Sequence, residues 1–187
     1  MLFETVSDYL EAYRDDPYSH GVLPVPLVAE YLDRSAPAVT AMLRAGSLTE
    51  IIIGKNKFVQ AASLLGKDDA EAKDVATVRK YLMDMIARGE TVTFYEPIME
   101  IIGLTTTTPA HRTKIGGILD KISKDSHAEK GVVLSVLVHR KTAGTTRPGP
   151  GFWGMAEGEG LFDPNEQDRD DFVRDHTKLV LKKYKPK

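Results

Sequence analysis

Proline decides where helices can start and stop in this chain of 187 residues. Its nitrogen carries no proton and its ring fixes φ, so it breaks a helix from within but suits the first turn of a new one. Asp15-Asp16-Pro17 therefore closes a short amphipathic helix expected over Phe3 to Tyr13, where Leu2, Val6, Tyr9, Leu10 and Tyr13 fall at helical spacing. Pro26 opens a second helix, Leu27 to Leu32. Ser35-Ala36-Pro37 opens a third, with Ser35 as N-cap, running to Arg44 and closed by Gly46. Thr108-Pro109 announces another, from Ala110 to Ala128.

Between these lie strand and turn signals. Glu50 to Ile53 is apolar and β-branched, Gly54-Lys55-Asn56-Lys57 is turn chemistry, and Phe58 to Gln60 returns, which predicts a β-hairpin. Asp74 to Arg88 reads as a long helix with Val75, Val78, Leu82, Met85 and Ile86 on one face. A short strand over Thr91 to Phe94, a helix over Tyr95 to Ile102, and a strand over Val132 to His139 follow. After a glycine- and proline-rich loop over Ala143 to Gly154, a terminal helix over Pro164 to Tyr184 closes the chain. Gly66-Lys67-Asp68-Asp69 is the expected seam, giving domains 1–66 and 67–187.

Composition removes several functions. Without cysteine there are no disulfides, thiolate nucleophiles, cysteine zinc sites or iron–sulfur clusters, and a reducing cytoplasm fits. No run of eighteen apolar residues predicts a membrane span, and the acidic start lacks the pattern of a secretory signal. The net charge of −2 hides alternation. Residues 1–33 carry seven acids and one base, whereas residues 34–66 carry four bases and one acid. Residues 104–151 carry eight bases and three acids, whereas residues 152–175 carry two bases and eight acids. The basic segments are either solvated faces or a footprint for an anionic partner.

The stretch Val28-Ala29-Glu30-Tyr31-Leu32, Asp33-Arg34-Ser35, Pro37 to Leu48 resembles the helix-turn-helix of excisionase and MerR-type DNA-binding families, over residues 25–65. The small Ala29, Leu32 before the turn, Ser35 at the second helix, Val39 within it and Gly46-x-Leu48 leading to a hairpin carry the likeness. It implies that the second helix enters a major groove, with Thr40 and Arg44 on its reading face and Lys55 and Lys57 on phosphates. Two hydrogen-bonding side chains are few for base readout.

Residues 74–141 show the order of a winged helix. Gly89-Glu90-Thr91-Val92-Thr93-Phe94 is similar to the lead-in of alkyltransferase-like DNA-binding domains, although the Pro-Cys-His-Arg of their active site is absent. Ile115 to Ala156 more closely resembles an uncharacterised bacterial domain, through Val133-Leu134-Ser135-x-Leu137-Val138 and Pro148-Gly149-Pro150-Gly151-Phe152. At 100° per residue, Ile115, Ile118, Leu119 and Ile122 form one stripe of the 110–128 helix, and Lys114, Lys121 and Lys124 lie on a neighbouring face. Gly116 and Gly117 each cost about 1 kcal/mol inside a helix, which suggests close approach of another backbone. Arg112, Arg140, Lys141 and Arg147 complete the basic set.

No catalytic pattern stands out. His20, His111, His127, His139 and His176 lack metal-ligand spacing, and His111 reads as a core or capping residue. The acids Glu157, Glu159, Asp163, Glu166, Asp168, Asp170 and Asp171 read as a solvated helix start rather than a cation site. Ser135 has no Gly-x-Ser-x-Gly elbow, the glycine-rich loop has no P-loop lysine, and Phe152-Trp153 reads as a core anchor.

The expected fold is α+β, mostly helical, with two helix-turn-helix or winged-helix-like units. The expected function is non-catalytic binding of duplex DNA, by a cytoplasmic regulator or accessory factor, without cofactor or metal and with no membrane partner. The DNA-contacting residues would be Ser35, Thr40, Arg44, Lys55, Lys57, Arg112, Lys114, Lys121, Lys124, Arg140, Lys141 and Arg147, a set that a homodimer would double. A protein–protein adaptor and a metal-dependent hydrolase are the alternatives.

Overall fold

The computed structural model describes residues 1–142 and 145–184. The fold is α+β and mostly helical. The chain divides into two compact units, 1–71 and 72–187, and each has its own core.

In the first unit, strand β1 (Leu2–Phe3) precedes helices α1 (Val6–Asp15) and α2 (Pro17–His20). Strand β2 (Val22–Pro24), helices α3 (Val25–Tyr31) and α4 (Ala36–Arg44), and strands β3 (Glu50–Ile53) and β4 (Asn56–Gln60) follow. The first helix starts later than expected because Thr5 and Asp8 form a reciprocal capping box, which frees Leu2 and Phe3 to pair in parallel with Ile52 and Ile53. Ser35 caps α4 as expected, its Oγ accepting from the Ala38 N–H. Ala29 is buried in α3, and Val28, Val39, Leu48, Val59 and Leu64 form the core with it. The hairpin turns at Gly54, whose φ of 60° is costly for a residue with a side chain. The sheet order is β1-β3-β4-β2.

Helix α5 (Ala61–Ala87) crosses the division between the units. The helix expected over Asp74 to Arg88 starts at Ala61 and runs through residues 66–69. Gly66 lowers helix propensity by only about 1 kcal/mol. Lys67 pairs with Glu71 one turn on, and Tyr31 donates to the Asp68 carboxylate at 2.8 Å.

In the second unit, strand β5 (Thr93–Phe94) and helices α6 (Tyr95–Glu100) and α7 (Pro109–Lys130) lead to a turn of 3-10 helix (Leu134–Leu137). Strands β6 (Val138–Thr142) and β7 (Thr145–Pro148) and helices α8 (Pro150–Gly158) and α9 (Arg169–Tyr184) complete it. The sheet order is β5-β6-β7, with β5 parallel and β7 antiparallel to β6. The strand expected over Val132 to His139 survives only in its last two residues. Side chains satisfy the buried backbone before it: His176 Nε2 accepts from the Val133 N–H at 2.9 Å, and Ser126 Oγ from the Leu134 N–H at 3.1 Å. The expected loop holds β7 and the start of α8, while Ala143 and Gly144 lie outside the described residues, as do Lys185 to Lys187. The terminal helix starts at Arg169 rather than Pro164 because Asp168 Oδ1 accepts from the Asp170 and Asp171 N–H groups. Among the described residues no helix is long and apolar enough to cross a membrane.

Candidate functional site

The first unit spends most of its expected DNA contacts on itself. Ser35 caps α4, and the Thr40 hydroxyl donates back to the Ala36 carbonyl at 3.0 Å. Lys57 pairs with Glu50 at 2.9 Å. Arg44, in the last turn of α4, and Lys55, at the hairpin tip, are exposed. Over residues 1–71 there are six bases against eleven acids, so the unit as a whole repels an anion.

The second unit neutralises part of its basic helix in the same way. Lys114 meets Asp74 at 2.6 Å and Lys124 meets Asp120 at 2.9 Å. Arg147 pairs with Asp170 and Lys141 with Glu96. Arg112, Lys121 and Arg140 form no ion pair among the described residues. Lys121 stands apart, whereas Arg112 and Arg140 converge.

Their meeting point is a cavity of about 360 Å³, lined by Arg112, Arg140, Lys141, Phe94, Tyr95 and His139 among others. The start of α7 brings Arg112, whose Nη1 donates to the Thr106 carbonyl at 3.1 Å. Strand β6 brings His139, Arg140 and Lys141, and its register with β5 sets Phe94 opposite His139. Lys141 Nζ lies 4.9 Å from the centre of the Phe94 ring. Gly149 lets the wall close: a Cβ there would stand 2.8 Å from Tyr95 Oη and 3.2 Å from Arg140 Cδ. Burial raises the Tyr95 pKa, and Arg140 opposes the shift.

His139 is 5% exposed. Its Nε2 lies 3.1 Å from the Val136 carbonyl, which can only accept, so Nε2 carries the proton. Its Nδ1 has no hydrogen-bond partner among the described residues. Burial pushes the pKa of this imidazole down, with backbone contacts to Val136 and Thr146 acting the other way.

A second groove, of about 410 Å³, adjoins the first and shares Arg140 and Pro150 with it. It adds Arg147, Arg169 and Trp153, with the Arg169 guanidinium 4.9 Å from the Trp153 ring. Neither Arg169 nor His139 was legible as a site residue. Arg169 sits within an acidic run, and His139 looks like any histidine in an apolar segment. Phe152 and Trp153 are buried and stack edge to face, 5.1 Å between centroids, as core anchors.

The exposed side of α7 is open. A Cβ at Gly116 or Gly117 would meet no atom within 4 Å, so the neighbour that their cost suggested does not come from the described residues. His111 Nδ1 accepts from the Thr105 N–H at 3.0 Å, which ties the start of α7 to the preceding loop and caps no helix end, and the Thr108 side chain makes no capping bond. The acidic segment is also accounted for. Asp168 caps α9, and Arg174 bridges Asp171 and Asp175. Arg174, with Lys178, holds the Asp175 carboxyl down to about 2. Among the described residues no group of three or more histidines and acids could hold a metal ion.

No protein family, curated protein or solved structure matches this chain.

Proposed function

We propose that this chain binds duplex DNA without catalysis, through phosphate contacts of its second unit. The observation that carries the reading is the pair of adjoining grooves that share Arg140, along which Arg112, Lys141, Arg140, Arg147 and Arg169 are strung. Guanidinium groups match phosphate geometry and stay charged at any working pH. The open start of α7, with exposed Arg112, Thr113 and Gly116, would lie against the backbone, where glycine permits close approach. The first unit would contribute Arg44 and Lys55, with Ser35 and Thr40 shaping α4 rather than reading bases. The scarcity of base-reading side chains favours recognition of shape, or a homodimer that adds a second half-site.

Fluorescence anisotropy with a labelled duplex at two salt concentrations tests this. Three unneutralised contacts give a log–log salt slope of about −3. Arg112→Ala with Arg140→Ala should lower affinity and flatten the slope by about 2. Absence of binding at low salt rejects the proposal.

One observation favours the adaptor reading for the first unit. Val6, Leu10 and Tyr13 on α1 are exposed on an acidic surface. A stoichiometric partner captured by the chain, lost with Leu10→Glu and kept when Lys114 and Lys121 are reversed in charge, would establish it.

A further inference from the structure

The Arg112–Arg140 cavity contains more than a phosphate track requires. A track needs exposed cations. This cavity also has apolar and aromatic walls, from Phe94, Tyr95, Met99 and Ile115, and the ring of the buried His139 among its lining. From these features we infer that the cavity binds a phosphate monoester carried on a flat, apolar body such as an aromatic ring or a nucleobase.

Charge and size each support this class. Arg112, Arg140 and Lys141 against Glu96 leave two positive charges at the cavity, which suits a monoester carrying about −1.5 to −2 better than a carboxylate or a diester. The volume of about 360 Å³ is within the range of pockets for small ligands, and Phe94 and Tyr95 supply the wall for a ring.

The monoester has two sources: a free small molecule, or the 5′-phosphorylated end of a nucleic acid. Only the second rests on the proposed function. The full chain is titrated calorimetrically with phenyl phosphate, with methyl phenyl phosphate as the diester control. In parallel, anisotropy compares duplexes that differ only in a 5′-phosphate or a 5′-hydroxyl. Phenyl phosphate should bind one to one and more tightly than the diester, and it should shift the His139 imidazole proton resonances. Arg112→Ala and Arg140→Ala should each weaken it about tenfold or more, whereas Lys121→Ala, outside the cavity, should not.

Preference for the 5′-phosphorylated duplex assigns the nucleic-acid end. Equal duplex affinities alongside phenyl phosphate binding assign the free molecule. No saturable binding of phenyl phosphate, equal binding of the diester, or equal weakening by Lys121→Ala overturns the inference. Salt-dependent duplex binding with no phenyl phosphate binding overturns it while the phosphate track stands. Phenyl phosphate binding with no duplex binding overturns the track alone.

Discussion

His176 Nε2, on the last helix, accepts the backbone proton of Val133, 43 positions earlier in the chain, at 2.9 Å. Both groups are buried, so this one bond ties α9 to the chain segment that replaces the expected strand. His176→Phe keeps a flat ring against Phe172, whose ring stacks at 5.1 Å, but strands a buried N–H. The expected loss is about 1–3 kcal/mol of stability, read from urea unfolding of the variant against the parent. An unchanged midpoint would show that the bond is dispensable.

Acid should weaken the fold well above the carboxylate range. Burial holds both His139 and His176 below the ordinary histidine value, and His127 adds repulsion at His176. In the unfolded chain both titrate near 6.5. Above that value both states are neutral and the stability is fully present. As pH falls through about 6.5 the unfolded chain takes up protons first, so stability declines until the folded pKa values are reached. The urea midpoint should therefore be lower at about pH 5.5 than at about pH 7.5, and a rise on acidification would contradict the assignment.

Gly116→Ala and Gly117→Ala place a methyl group in open space on α7. Each should stabilise the second unit by about 1 kcal/mol through helix propensity. Each should also weaken duplex binding, because the added Cβ occupies the surface where a backbone would approach. Thermal melts and anisotropy on the same variants read the two effects, and undiminished binding would remove α7 from the interface.

Gly149→Ala tests the cavity wall without touching a charge. The new Cβ would press on Tyr95 Oη and Arg140 Cδ, at 2.8 and 3.2 Å. Phenyl phosphate binding should fall while the fold persists, which calorimetry and circular dichroism distinguish.

Asp74→Asn removes the carboxylate 2.6 Å from Lys114. With Lys114 released, duplex binding should strengthen at low salt and the log–log slope should steepen by about 1. An unaltered slope would place Lys114 off the DNA path.

Local backbone chemistry was readable before any folding. Ser35 with Pro37 set the start of α4, and Pro109 set the start of α7, because a cap or a missing N–H acts within one turn. The hairpin around Gly54 and the alternation of acidic and basic segments belong to the same class. Where partners lie far along the chain, the order of residues was silent or misleading. Val132 to Leu137 has strand composition, yet Ser126 and His176 satisfy its backbone and it turns as a 3-10 helix instead. Gly66 and its acidic neighbours gave no helix signal before Asp74, yet the helix starts at Ala61, with Tyr31 donating to Asp68 and Lys67 meeting Glu71.

The charges show the same division. The sequence alone determined how many cations each segment carries. Only the tertiary structure decided that Lys57, Lys114, Lys141 and Arg147 each meet a carboxylate, while Arg112 and Arg140 meet at one cavity beside the buried His139 ring. An ion pair depends on where two side chains end in space, at separations of a few ångströms, and no count along the chain contains that distance.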